Sequence, residues 1–381
     1  MTQDAVTQRS FEKLIGAEPV LGRVERLAVL LPEANGRTLF HAGPPFAAFE
    51  TIPPPVKNAA AAAAMHEGLA DTREDALAAI ASGSIRLAPA QDVGLVTPLA
   101  FVVGPSLFCL EVVDANHPEH RRLAPLNDGP PPDALRFGTG RREGLALLER
   151  LATSVGPELA HHMPAGTAIL PLLAKALAGG DDLHGHVAST QSALLDLFGD
   201  EISSDARSYM SEANQFVLNV IMATAAVMLG AGAGIEDSHL VVAAGGNGVD
   251  FGYKVAGAPD TWITLPATGP QGPKFPGKED AAPLPAIGDS AVIDALGFGA
   301  ACRRFCPTLA EALESHIDPA FLTPAAHDAF VGPHPALGEA SVKVGLDLTR
   351  PRSALGIMLG MLEAGGTGGI IGRGVAPWPA N

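Results

Sequence analysis

Residues 216–234 read FVLNVIMATAAVMLGAGAG. Phe216, Val220, Thr224 and Val227 recur at helical spacing, and the residues between them are nearly as apolar. A helix with no polar side has nothing to show to water, so this one belongs at the centre of the fold. The run holds Asn219 and ends in Ala and Gly. It is therefore a poor match to a membrane span of about 20 strongly apolar residues. The apolar stretch 97–113 fails the same test, being interrupted by Pro98, Pro105 and Glu111. The pattern predicts one buried helix over 205–229 and no membrane partner.

The period changes on the C-terminal side of this helix. Residues 239–244, 249–256 and 261–266 are short β-type runs, and Gly245-Gly246-Asn247-Gly248 fits a hairpin turn between the first two. A Pro- and Gly-rich acidic loop follows over 269–288. Asp289-Ser290 then predicts the cap of a helix through about residue 305. The tail predicts a strand at 342–346, a helix at 353–362 and a Gly-rich segment at 365–374. On the N-terminal side, helices are expected at 141–154, 167–178 and 186–198. Before them come strands at 27–31, 85–87, 93–103 and 107–113, with an Ala-rich helix at 58–70 and a second one capped from Asp71-Thr72. The expected fold is α+β or mixed α/β, with two β-containing parts and a central helical segment. The expected parts are residues 1–140, 141–235 and 236–381.

Composition narrows the function classes. Of 381 residues, 25 are Lys or Arg and 41 are Asp or Glu, a net charge of −16. That excludes nucleic acid as the main partner, because phosphate backbones need a basic face. Aromatic residues are 5% of the chain, too few for a base-stacking platform. Three cysteines, Cys109, Cys302 and Cys306, do not make a disulfide framework and point to a reducing cytoplasm. The opening MTQDAVTQRSFEKL lacks the basic and then apolar pattern of a signal peptide. The apolar helices and low charge content fit a homo-oligomer.

Several clusters carry chemistry. Asp181, Asp182, His184 and His186 fall within GDDLHGH (180–186). They suit acid/base work, or the capping of a helix; a metal is disfavoured because no matching Cys/His set stands elsewhere. Asn247 and Asp250 flank Gly248 at a tight turn. They offer an amide and a carboxylate to a ligand, or plain turn chemistry. Asp289 and Ser290 open a helix, as an N-cap or as an anion site. Arg136 precedes a Gly-containing helix approach and suits a phosphate or carboxylate if it is not merely exposed. Asn219 inside an apolar helix is costly unless bonded, to the core or to a ligand. Gly43 and Pro44 belong to the rigid turn HAGPP (41–45). Gly365–Gly369 lacks the lysine of a P-loop.

These segments also form an ordered set. HAGPP (41–45), LRFG (135–138), GGDDLHGH (179–186), FVLN (216–219), GNGVDFGYKVAG (246–257), WITLPA (262–267), KFPG (274–277) and IGDSA (287–291) follow one another along the chain. In this set the chain resembles the YlbE-like bacterial family, over roughly residues 20–375. That family is associated with FdrA-type proteins and linked to one subunit of oxamate carbamoyltransferase.

The resemblance implies carbamoyl transfer in allantoin or purine breakdown, in which oxalurate and phosphate give oxamate and carbamoyl phosphate. It implies a small ureide or amide, phosphate or carbamoyl phosphate, and FdrA-like protein subunits as partners; no cofactor and no metal are expected. The acid/base residues would be Asp181, Asp182, His184 and Asp250. The substrate would be held by Gly43, Pro44, Arg136, Asn219, Asn247, Gly248, Asp289 and Ser290. The chain departs from the family pattern at Ala213-Asn214-Gln215, at His186-Val187 and at Gly360-Met361-Leu362-Glu363. These departures keep two alternatives open: a small-amide hydrolase or ring-opening enzyme, and a non-catalytic partner subunit.

Overall fold

The apolar run forms the helix Leu218–Ala231, and every residue from Asn219 to Leu229 is buried. The computed structural model describes residues 3–34, 36–213, 215–322, 327–352 and 354–379. The helix packs against the strands Phe108–Asp114, Arg121–Pro125 and Val241–Asn247, and against the helices Gln3–Gly16 and Ala291–Leu296. Elements from both ends of the chain therefore share its surface. One hydrophobic cluster runs from Phe11 to Trp378 and takes in Val220, Ile221, Met222 and Leu229 of this helix. Each such side chain contributes about 1.5–3 kcal/mol by leaving water. The helix is held by packing, since its β-branched residues are mediocre helix formers. No helix among the described residues is long and apolar enough to cross a membrane.

The sheets are small and mostly antiparallel, which makes the fold mixed α+β as expected. Phe108–Asp114 lies between Pro19–Arg26 and Arg121–Pro125. Thr38–His41 pairs in parallel with Arg86–Pro89. A four-stranded sheet has the order Ala258–Pro266, Asp250–Val255, Val241–Asn247, Ile287–Gly288. Two hairpins complete the set, Phe330–Pro333 with Lys343–Leu346 and Gly356–Leu362 with Ile370–Pro377.

Some elements differ from the sequence reading. The helix expected over 205–229 is two helices, Ser204–Glu212 and Leu218–Ala231. Between them Gln215 takes φ 61°, and its amide donates to the carbonyls of His184 and Gly185 at 3.1 and 3.2 Å. The neighbouring Asn214 lies outside the described residues. Leu27–Leu30 is a helical turn, not a strand. The strand expected at 93–103 is a loop after the 3₁₀ turn Ala90–Val93, with Gly94 and Leu99 at positive φ and isolated bridges at Leu95 and Val103.

The largest error is at the C-terminus. Gly356–Leu362 is a strand where a helix was expected, and Ser353 lies outside the described residues. The run GIMLGML is apolar throughout, and periodicity cannot tell a strand from a buried helix in so short a segment. The helix begun at Ser290 also ends early, at Leu296, because Gly297 adopts φ 121°. Residues 299–305 continue as a 3₁₀ turn.

Candidate functional site

The loop 180–186 is shaped by its two aspartates. Gly180 and Leu183 take φ 96° and 69°, which folds the loop tightly. Asp182 Oδ1 accepts the backbone N–H of His184 at 3.0 Å and of His186 at 2.8 Å. Asp181 accepts the N–H of Ser189 and Thr190 and the Thr190 hydroxyl, at 3.0, 2.8 and 2.7 Å. It thus closes the N-terminus of the helix Ala188–Leu197 from outside that helix. Asp182 Oδ2 is buried without a partner among the described residues, and burial pushes this carboxyl up to about 6.

This loop delivers His184 to Asp294. The imidazole Nδ1 lies 2.7 Å from Asp294 Oδ2, and the pair is nearly fully buried. Asp294 Oδ1 accepts the N–H of Ala300 at 2.9 Å and of Met358 at 3.2 Å. With Nδ1–H donating to a fixed carboxylate, the neutral ring carries its lone pair on Nε2. His186 is more exposed, with Nδ1 3.2 Å from Asp181 Oδ1.

Arg136 is held as firmly. Its Nη1 donates to Asn127 Oδ1, Asp128 Oδ1 and the Gly129 carbonyl at 2.9, 2.7 and 2.7 Å. Its guanidinium carbon lies 4.3 Å from the centre of the Phe137 ring. Tyr209 supports the arrangement by donating its hydroxyl to the Asn127 carbonyl at 2.9 Å. Among the described residues, Nε and Nη2 take no hydrogen bond, so one edge of the fork is left for a ligand.

A cavity of about 860 Å³ joins these parts. Arg136 and Arg373 line it, with His184, His186, Asn127, Gln191, Gln215, Asn219 and Ser290. Leu99, Phe137, Leu218, Phe275, Leu359 and Ile370 supply apolar wall. The lining contains no Asp or Glu, in a chain whose net charge is −16. Asn219 donates Nδ2 to the Pro125 carbonyl at 2.6 Å. Its side-chain oxygen has no hydrogen bond among the described residues.

A second group of the expected site residues gathers beside the cavity. Gly43 donates its N–H to Asp289 Oδ1 at 2.9 Å, and Asn247 donates Nδ2 to the Pro44 carbonyl at 2.9 Å. Asn247 Oδ1 accepts the N–H of Val249 and Asp250 at 3.0 and 2.8 Å, with Gly248 at φ 87° between. Asp289 also accepts from Gln91 Nε2 at 2.6 Å and Thr97 N–H at 3.0 Å. Burial pushes its carboxyl up to about 7. Asp289 therefore ties three loops together and does not cap the helix that follows it. Asp250 is half-buried.

The structure thus sets Arg136, His184, Asn219 and Ser290 on one cavity. It places Asp181 and Asp182 in the loop that carries His184 but off the cavity lining, and Gly43, Pro44, Asn247, Gly248, Asp250 and Asp289 in or beside the adjoining loop junction. Sequence reasoning missed Asp294, Gln215, Asn127 and Arg373. Asp294 had a usable signal, a charge inside the apolar run AVIDAL (291–296), the same kind that singled out Asn219. Among the described residues, no cluster of three or more His, Cys, Asp or Glu is placed to hold a metal ion.

Residues 85–290, more than half of the chain, match the family described as oxamate carbamoyltransferase subunit AllG. The chain is 28% identical to "Oxamate carbamoyltransferase subunit AllG" of Escherichia coli (strain K12), over 78% of this chain and 73% of that protein. It is 27% identical to "Uncharacterized protein YahG" of the same organism, over 92% of this chain and 77% of the other. The fold is that of a crystal structure of a conserved protein of unknown function from Enterococcus faecalis V583. The TM-score is 0.91 at 24% identity, covering 99% of this chain and 94% of that one. The matched span contains the His184 loop, Arg136, the central helix and Asp289, and the resemblance drawn from the ordered motifs is borne out: the chain belongs to the oxamate carbamoyltransferase subunit AllG family.

Proposed function

We propose that this chain is a subunit of a carbamoyltransferase whose cavity holds a small planar ureide of the oxalurate type together with the phosphate that takes its carbamoyl group. The carrying observation is the lining of that cavity: two arginines, two histidines, four side-chain amides and no carboxylate, in a strongly acidic chain. Such a lining favours anions with planar amide groups and repels cations. The family name supports the reaction class.

The chemistry asks little of the protein beyond positioning and one proton. A phosphate oxygen attacks the terminal carbamoyl carbon, and the bond from that carbon to the ureide nitrogen breaks. Hydrogenphosphate loses its proton, and the leaving nitrogen of oxamate gains one. His184 Nε2, set by the Nδ1 bond to Asp294, is the relay for that proton. The free edge of Arg136 suits the carboxylate of the ureide, and the oxygen of Asn219 suits its N–H groups. FdrA-like subunits complete the assembly.

The test is release of oxamate and carbamoyl phosphate from oxalurate and phosphate, by the chain alone and reconstituted with FdrA-like subunits. Phosphate-dependent turnover that falls with His184→Gln supports the proposal. Turnover in water without phosphate would assign hydrolysis instead. A complex whose rate ignores His184→Gln would make this chain a non-catalytic partner. Folded protein with no turnover in any combination would overturn the proposal.

A further inference from the structure

We infer that the cavity holds two distinct anion subsites, and that Arg373 at its mouth is the phosphate subsite. The inference rests on the carbamoyl-transfer reading and divides that site in two. Its basis is a difference between the two arginines of the lining.

Arg136 is buried and paired. Asp128 Oδ1 stands 2.7 Å from it, so the pair carries no net charge, and Nη1 is occupied by three acceptors. What remains is a fixed planar edge, Nε and Nη2, which suits a flat monoanionic carboxylate through geometry more than through charge. Arg373 is the opposite case. It sits on the strand Ile370–Pro377, opposite Gly360 in register, with an exposed side chain. Among the described residues no carboxylate lies within 4 Å of it, and its guanidinium makes no hydrogen bond. Ile370 and Gly360 beside it line the same cavity, as does His186.

Arg373 therefore brings a positive charge with no ion-pair partner among the described residues. Hydrogenphosphate is a dianion, and net charge matters more to it than to a carboxylate. It must also enter and be replaced in every turnover, which favours a group that solvent reaches. The ureide is held deep by Arg136, and phosphate approaches from the Arg373 side.

The test is equilibrium binding of inorganic phosphate and of oxamate to the full chain by titration calorimetry, in wild type, Arg373→Ala, Arg373→Lys and Arg136→Lys. Arg373→Ala should weaken phosphate about tenfold or more, the loss of one charge-assisted contact, and change oxamate less than about twofold. Arg373→Lys should restore most of the phosphate affinity, and Arg136→Lys should weaken oxamate selectively. Among the described residues the Arg373 guanidinium has no hydrogen-bond or ion-pair partner, so equal thermal midpoints for wild type and Arg373→Ala check the fold. Phosphate binding unchanged in Arg373→Ala, or both ligands weakened equally, would overturn the two-subsite assignment while leaving the carbamoyl-transfer reading in place. Wild type that binds neither ligand would overturn both.

Discussion

His184 Nδ1 lies 2.7 Å from Asp294 Oδ2, in a pair whose side chains are 5% and 1% exposed. Four chain segments set this contact. The Asp182 loop carries the histidine, the helix Ala291–Leu296 carries the carboxylate, and the N–H groups of Ala300 and Met358 fix its other oxygen. Asp294→Asn would keep its oxygen toward those two N–H groups and turn its NH₂ toward His184. The ring would then have to accept at Nδ1 and carry its proton on Nε2. The phosphorolysis rate should fall about a hundredfold or more, with KM changed little. Steady-state kinetics on the reconstituted complex check this. An unaltered kcat would remove His184 from the reaction.

The Arg136–Asp128 pair is nearly fully buried, with side chains 6% and 1% exposed. Removing one partner strands the other charge in the interior. Arg136→Ala should therefore cost about 3–5 kcal/mol, mostly through Asp128. Combining Arg136→Met with Asp128→Asn removes both charges and should cost clearly less than Arg136→Ala alone. Urea unfolding of the two variants checks the order. A double variant less stable than the single one would show that the pair stabilises through attraction and not through compensation.

The legible part of the molecule was its centre. The run 216–234 reads as a helix by its length and spacing, and the structure buries Asn219 to Leu229. Asn219 was legible as a polar group in a costly place, and His184 as a member of the polar cluster GDDLHGH. Asp294 follows the same logic as Asn219, a polar group inside an apolar run. Arg373 and the strand Gly356–Leu362 were not legible. An apolar heptapeptide between glycines fits helix and strand alike, and only its partner Ile370–Pro377 decides. Arg373 gains its place from that register, which no local pattern encodes. Gly43 and Asn247 read from the sequence as substrate-binding, and in the structure their backbone and amide groups bind other loops of the same chain.

Gly43 makes that last point testable. It holds φ +75°, and a Cβ there would stand 2.6 Å from the backbone nitrogen of Asn247. Neither the conformation nor the space admits a side chain. Gly43→Ala should cost about 2 kcal/mol or more and loosen the junction at Asp289. A lower urea midpoint and faster amide exchange at Thr97 and Gly43 are the expected readouts. A stable variant that had lost only ligand binding would move Gly43 from the scaffold to the site.

His334 gives the molecule a pH-dependent element away from the cavity. Its Nδ1 accepts the Ala336 N–H at 3.1 Å, and Nε2 is buried without a partner among the described residues. Burial pulls its pKa down from 6.5 to about 4, so the native chain refuses a proton that the unfolded chain accepts. The resulting stability is fully present above pH 6.5 and is lost as pH falls toward 4, with a slope of at most about 1.4 kcal/mol per pH unit. His41, also lowered to about 4 by burial, acts in the same direction. Asp182 and Asp289, whose pKa values are raised, act oppositely, because the native state then holds the extra proton. The difference between two proteins isolates the histidine. His334→Asn keeps an acceptor for the Ala336 N–H and removes the titration. Urea unfolding between pH 4 and pH 7 should show wild type losing stability relative to His334→Asn as the medium becomes more acidic. Parallel pH profiles for the two proteins would mean that His334 titrates alike in the folded and unfolded chains.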